Sequence, residues 1–272
     1  MLAALDNARV LAGGQSLMPM MNFRYAMPDH LVDLNKVSEL DYIRREGDTL
    51  RIGAMTRQRE IEFSSEVAEH CAVLHEGLSH VGHRQTRNRG TIGGSLCHLD
   101  PSAELVNITA LLDGTLHAAS NTGARDIPMP EFAAGFMTTS FDAGELLTGV
   151  TLRMPARGAG HAFTEFARRH GDFAIVACSA LLTLGPTGAI ARVSLAISGI
   201  AHCPVRPSGI ERALTGEKPG AAAFKAAAAE AGALDAASDA YVTAEYRKHL
   251  ARILTYRALE QAAARATALA HA

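Results

Sequence analysis

The amino-acid sequence predicts an α+β protein in two unequal parts, and three observations lead there. Two paired-glycine turns, Ala12-Gly13-Gly14-Gln15-Ser16 and Thr91-Ile92-Gly93-Gly94-Ser95, lie between strand-like and helix-like segments. The run Pro155-Ala156-Arg157-Gly158-Ala159-Gly160 is a composition shift, which divides the chain into residues 1–157 and 158–272. Beyond it, two apolar runs flank Gly185-Pro186-Thr187-Gly188, the pattern of an antiparallel hairpin, and the remainder reads as helical.

Each element has a local reason. Arg9-Val10-Leu11 is a short strand entering the first glycine turn. A helix follows, with Ser16 suited to its cap and Pro19 tolerated in its first turn, where an amide would be unpaired anyway. Leu31 to Leu34 gives a second strand, and Leu50, Ile52 and Ala54 alternate with Arg51 and Gly53 in a third. Residues 57–75 read as one helix with Ile61, Val67, Ala68 and Leu74 as its apolar members. Residues 81–94, rich in His, Arg, Gly and Asn, read as a loop made for contact rather than core. Asp100 and Pro101 are suited to N-cap and N1 of the next helix, whose apolar face is Leu105, Ile108, Leu111 and Leu112 and which Asp113-Gly114 stops. Residues 177–184 and 193–200 form the hairpin. Ser208-Gly209-Ile210-Glu211 has the spacing of a capping box. Residues 221–233 are alanine-rich, and Tyr246, Leu250, Ile253 and Leu254 mark the apolar stripe of a last long helix.

Composition narrows the function. The 272 residues carry a formal net charge of −2 and no tryptophan, which argues against a nucleic-acid surface. No apolar run reaches the length of a membrane span, and no secretory signal is evident at the N-terminus. Cys71, Cys97, Cys178 and Cys203 are scattered, without metal-site or ferredoxin spacing, which is the usage expected of reduced thiols in a cytoplasmic protein. His98 and His170 are likewise isolated, so no metal ligand is assigned.

The glycine turns carry the chemistry. A strand-to-helix turn with paired glycines exposes backbone N–H groups with no Cβ in the way, and such a turn holds phosphate oxygens closely. Ser16, Thr91 and Ser95 add hydroxyl donors. Neither turn has the G-x-G-x-x-G fingerprint, and no Walker lysine follows. The residues by themselves therefore give two anion-binding turns, or two tight turns, and no named cofactor.

The flanking residues add a resemblance. The runs Val10-Leu11-Ala12-Gly13-Gly14-Gln15-Ser16-Leu17-Met18-Pro19 and Arg89-Gly90-Thr91-Ile92-Gly93-Gly94-Ser95-Leu96, the latter followed by Asp100-Pro101, resemble the two flavin motifs of molybdenum hydroxylases. The likeness continues through Gly144-Glu145-Leu146-Leu147, His170-Gly171-Asp172-Phe173-Ala174 and Tyr246-Arg247…Arg257-Ala258-Leu259. In that order they resemble the FAD-binding medium subunit of the carbon monoxide dehydrogenase and xanthine dehydrogenase family.

The resemblance implies a vanillyl-alcohol-oxidase-type FAD-binding domain of two α/β subdomains, then a smaller domain with a three-stranded antiparallel sheet and a helix bundle. It implies FAD held at the pyrophosphate by Ala12, Gly13, Gly14, Gln15, Ser16 and Leu17 and by Thr91, Ile92, Gly93, Gly94 and Ser95. Asp100 would be a further contact, or simply a helix cap. Glu104 would bind ribityl or ribose hydroxyls, or be a solvated first-turn glutamate. Leu147 would pack on the ring system, with Asp172 and Phe173 in a loop beside it. Several relatives carry tyrosine where this chain has Phe173, so one hydrogen bond near the flavin would be missing. His83, Arg84, Arg87 and Arg89 form a basic cluster, either a solvated loop or a contact for a phosphate or partner.

The implied role is electron transfer. A large molybdopterin subunit would oxidise substrate, a small [2Fe–2S] subunit would relay electrons, and FAD here would pass them to an external acceptor, in a dimer of heterotrimers. No catalytic acid or base is assigned. The alternatives are a stand-alone flavin oxidoreductase of the same fold and a scaffold or assembly subunit without FAD. Family members begin with a further strand and helix, so the resemblance implies a truncated N-terminal strand.

Overall fold

A computed structural model describes residues 2–270. Strand β1 (Ala8–Leu11) pairs in parallel with β2 (His30–Asp33), and α1 (Leu17–Asn22) lies between them in sequence. The hairpin β3 (Ile43–Glu46) and β4 (Thr49–Gly53) opens the main sheet. The expected helix over 57–75 is instead α2 (Gln58–Phe63), α3 (Ser65–His70) and α4 (Ala72–Leu78). It breaks at Ser64, whose extended backbone lets its hydroxyl cap α3 through Val67 N–H, and again at Cys71. Ala68, expected on the apolar face, is exposed, while Ile61, Val67 and Leu74 are buried.

Residues 81–94 are also more ordered than a contact loop. They contain α5 (Arg84–Arg89) and the start of α6 (Ile92–His98), with Ile92 and Gly93 buried. Thr91 caps α6 by accepting from Gly94 N–H at 3.0 Å. The next helix, α7 (Glu104–Leu111), begins later than Asp100-Pro101 suggested, with Ala103 at its cap. The Asp100 carboxylate accepts from Ser102 N–H at 2.8 Å and so closes a local turn ahead of the helix. Asp113, at φ 50°, ends the run after Leu112.

Strands β5 (Thr115–Ala119) and β6 (Ala124–Pro128), the short α8 (Met129–Phe132), β7 (Ala133–Gly135) and β8 (Thr138–Thr139), and the long β9 (Leu146–Arg153) complete the first half. The main sheet has the order β3-β4-β9-β5-β6 and is antiparallel throughout.

After residues 154–159 come β10 (Gly160–Phe166), β11 (Val176–Leu184) and β12 (Ile190–Ser198), an antiparallel three-stranded sheet in that order. Helices α9 (Ser208–Leu214), α10 (Ala221–Ala231) and α11 (Ala244–Ala270) follow. The capping box at Ser208 does not form. Pro207 holds the cap position, and Glu211 accepts from Leu195 N–H and from Arg206 instead. On α11 the buried stripe runs through Leu250, Leu254, Ala258, Ala262 and Ala266, whereas Tyr246 lies half-exposed. Small residues let α11 sit close to the sheet: a Cβ on Gly160 would lie 1.9 Å from the Ala262 carbonyl oxygen.

Helix α7 joins the halves. Every residue from Glu104 to Leu111 is buried, and the main-sheet core includes Phe163, Ala174, Ala177 and Ala196 from the second half. Asn107 makes the join polar: its Nδ2 donates to Ala196 O and Ser198 Oγ, both at 3.1 Å, and its Oδ1 accepts from Ser179 Oγ. Arg206 donates to the carbonyls of Ala110 and Leu111 at the end of α7.

Candidate functional site

The first glycine turn leaves the end of β1 and bends back at Gly14, whose φ of 73° is costly for a residue with a Cβ. Among the described residues, the N–H groups of Gly13, Gly14, Gln15, Ser16 and Leu17 donate to no other group of the chain. Ser16 stands at the α1 cap, but its hydroxyl makes no capping bond. The turn thus presents a run of consecutive open donors.

The second turn is built differently. Ile92 N–H donates to Thr56 O, Gly93 N–H to Ala54 O, Gly94 N–H to Thr91 Oγ1 and Ser95 N–H to Thr91 O. Its amides are used by the fold, and the Thr91 and Ile92 side chains are buried. The glycines serve close packing: a Cβ on Gly93 would lie 2.5 Å from Ala54 O.

The two turns meet. A Cβ on Gly13 would lie 2.2 Å from Arg89 O and 2.8 Å from Gly90 Cα, and one on Gly94 would lie 3.6 Å from the Ala12 methyl. Two residues that the sequence did not single out for this site bridge them. Asn35 donates to Ala12 O at 3.0 Å and accepts from Arg57 Nη2 at 2.6 Å, while Arg57 Nη1 donates to Arg89 O. They lie far apart in sequence and have no motif, so only the fold brings them together.

A third segment packs beside these. Gly171, at φ 88°, fits against the ring of His83, where a Cβ would lie 2.5 Å from Cε1. This sets the loop of Asp172 and Phe173 at the start of α5, the helix that leads into the second turn. Asp172 is partly buried and Phe173 is 55% exposed. The basic cluster sorts itself out: Arg87 is tied by two bonds to Glu62 and by one to Val81 O, His83 packs on the Gly171 loop, and Arg84 and Arg89 are exposed.

Glu104 is buried in the first turn of α7, not solvated, and burial pushes its carboxyl up to about 8. His80 pairs with Glu165 at 3.2 Å, which holds the imidazole above its ordinary value, and the other Glu165 oxygen is buried without a partner. Leu147 is buried in β9 opposite Ala118. Asp100 is partly buried and engaged with Ser102. Among the described residues, no group of His, Cys, Asp and Glu could hold a metal ion, and no helix is long and apolar enough to cross a membrane.

Residues 1–155 match the family described as FAD binding domain in molybdopterin dehydrogenase, and residues 161–262 match the CO dehydrogenase flavoprotein C-terminal domain. This chain belongs to the FAD-binding medium subunits of molybdenum hydroxylases. It is 37% identical to the 6-hydroxypseudooxynicotine dehydrogenase complex subunit alpha of Paenarthrobacter nicotinovorans, over 96% of this chain and 88% of that one. It is 34% identical to the carbon monoxide dehydrogenase medium chain of Afipia carboxidovorans, over 96% and 91%. Its fold matches quinoline 2-oxidoreductase from Pseudomonas putida 86 with a TM-score of 0.92 and 35% identity, covering 97% of this chain and 92% of that one.

The cofactor of this medium subunit is FAD, and the residues fit it. A dinucleotide brings a pyrophosphate, and the first turn offers consecutive open N–H donors of the kind that bind one. The absent Cβ atoms of Gly13 and Gly94 let the second turn pack directly against these donors. The subunit is thus part of an FAD-dependent oxidoreductase.

Proposed function

We propose that this medium subunit carries electrons between a small [2Fe–2S] subunit and an external acceptor, within a cytoplasmic dimer of heterotrimers whose large molybdopterin subunit oxidises the substrate. The observation that carries this reading is the pairing of a donor-rich first turn with family membership. The relatives are named for different compounds, 6-hydroxypseudooxynicotine, carbon monoxide and quinoline, and a role in a common electron path fits that spread. Substrate choice then rests with the large subunit.

FAD supplies the redox chemistry, accepting and releasing electrons singly or in pairs. The chain binds and orients it. In this reading residues 1–157 form the FAD domain and residues 158–272 the second domain. Gly13, Gly14, Gln15, Ser16 and Leu17 would donate to the pyrophosphate oxygens. The second turn, Thr91 to Ser95, forms the opposing wall, with the Ser95 hydroxyl as a further donor. Glu104, whose carboxyl burial pushes up to about 8, would meet cofactor hydroxyls, and Asp100 holds the turn ahead of it. Leu147 would pack towards the ring system, with Asp172 and Phe173 in the loop beside it.

The test is purification from the native host by a tag on this chain. The expected result is a yellow complex with two partners carrying molybdopterin and [2Fe–2S] clusters, in which substrate bleaches the flavin bands. A solitary flavoprotein that turns over its own substrate overturns the reading, as does a colourless chain that takes up no flavin on reconstitution.

A further inference from the structure

The two glycine turns touch, yet among the described residues no backbone hydrogen bond joins residues 12–17 to residues 89–95. The polar link between them runs through Asn35 and Arg57. Asn35 follows β2, and its own amide and Nδ2 both donate to Asp33 Oδ1, which fixes the side chain. From there Nδ2 reaches Ala12 O at 3.0 Å and Oδ1 accepts from Arg57 Nη2 at 2.6 Å. The other end of the same guanidinium donates to Arg89 O. Arg57 is itself anchored beside the second turn, since it forms an isolated antiparallel bridge with Thr91 and the next amide, Gln58 N–H, donates to Gly90 O at 2.8 Å.

We propose that Asn35 and Arg57 are positioning residues that staple the two turns and aim the first-turn amides at the pyrophosphate; this rests on the FAD reading of the site. The peptide plane supplies the mechanism. The Ala12 carbonyl and the Gly13 N–H share one planar trans peptide and point in opposite directions. Holding the carbonyl on Asn35 therefore turns the Gly13 N–H away from Asn35, and Gly13 is the first of the open donors. Arg57 sets the spacing. It fixes the Arg89 carbonyl against which Gly13 packs, so one planar group determines both the orientation and the separation of the walls. A lysine places a single ammonium at the end of a flexible stem and cannot span the same two acceptors in a fixed fork. The Asn35 orientation is also unambiguous, because its oxygen faces a guanidinium and its nitrogen faces two acceptors.

The experiment uses the full chain, stripped of flavin, with FAD and with ADP, which carries the pyrophosphate but no flavin ring. Arg57→Lys keeps the charge, and Asn35→Asp keeps the size while replacing the donor to Ala12 O with an acceptor. Each is expected to weaken FAD and ADP alike by about tenfold or more, the loss of one or two hydrogen bonds' worth of alignment. The melting temperature of the flavin-free chain is expected to stay near wild type. Wild-type affinity for ADP in both variants overturns the staple while leaving the FAD reading intact. An affinity loss that merely tracks a lowered melting temperature also overturns it. A wild-type chain that binds neither FAD nor ADP overturns the FAD reading and the staple with it. Should Arg57→Lys not fold, Asn35→Asp carries the same comparison.

Discussion

Gly13 lies flat on the carbonyl of Arg89: a Cβ built on Gly13 would come within 2.2 Å of that oxygen. The neighbour is backbone and cannot rotate away, so Gly13→Ala forces the two turns apart. Overpacking of this kind costs about 1–3 kcal/mol. The expected outcome is a lowered melting temperature together with loss of bound flavin, read from the visible absorbance of the purified protein. Gly209→Ala is the control. Its Cβ would meet nothing within 4 Å in α9, and alanine there favours the helix by up to about 1 kcal/mol.

Asn107 carries the polar join between the halves. Asn107→Ala removes its bonds to Ala196 O, Ser198 Oγ and Ser179 Oγ and takes from the two buried serine hydroxyls their partner on α7. The expected destabilisation is about 2–4 kcal/mol. Urea denaturation checks it, through a lower midpoint.

Glu104 predicts a pH dependence. Its carboxyl rises from 4.5 to about 8 on folding, chiefly through burial. Between those values the folded chain keeps a proton that the unfolded chain has released. Stability is therefore fully present below 4.5 and is lost as pH rises towards 8, by at most about 1.4 kcal/mol per pH unit. His80, held up by Glu165, slopes the same way from its ordinary 6.5 upward, so the Glu104 share is the difference between wild type and Glu104→Gln. The variant is expected to flatten the curve of denaturation midpoint against pH. Identical curves would remove Glu104 as the source.

Phe173 is 55% exposed beside the Gly171 turn. Phe173→Ala is expected to alter stability by less than about 0.5 kcal/mol while shifting the visible flavin bands. An unchanged spectrum would place the ring away from the cofactor.

Much of the fold was legible wherever periodicity and burial agree. The β11–β12 hairpin, the apolar face of α7 and the strand before the first turn all follow from pattern. The single helix over 57–75 failed because its apolar spacing continues across Ser64 and Cys71, and only the extended backbone at Ser64 reveals a second start. Asp100 and Ser208 failed as caps for a different reason. Each belongs to a valid local pattern, but Asp100 turns its carboxylate to Ser102, and Glu211 turns to Leu195 and Arg206. At the site, the glycines announced themselves through a motif. Asn35 and Arg57 could not, since each is an ordinary polar residue until the chain brings Ala12 and Arg89 to them.

The unequal use of amides in the two turns has a consequence for how the holoprotein is assembled. The amides of residues 92–95 are already taken, by Thr56 O and Ala54 O and by Thr91 within the turn, so the fold holds its shape without a nucleotide. The first turn leaves the N–H groups of residues 13–17 without a partner among the described residues. Hydrogen exchange should therefore separate them: slow deuterium uptake in the second turn with or without flavin, and faster uptake at residues 14–17 that slows on loading. Cofactor then meets two turns already held together, and loading calls for pairing of the open amides rather than remodelling of the domain.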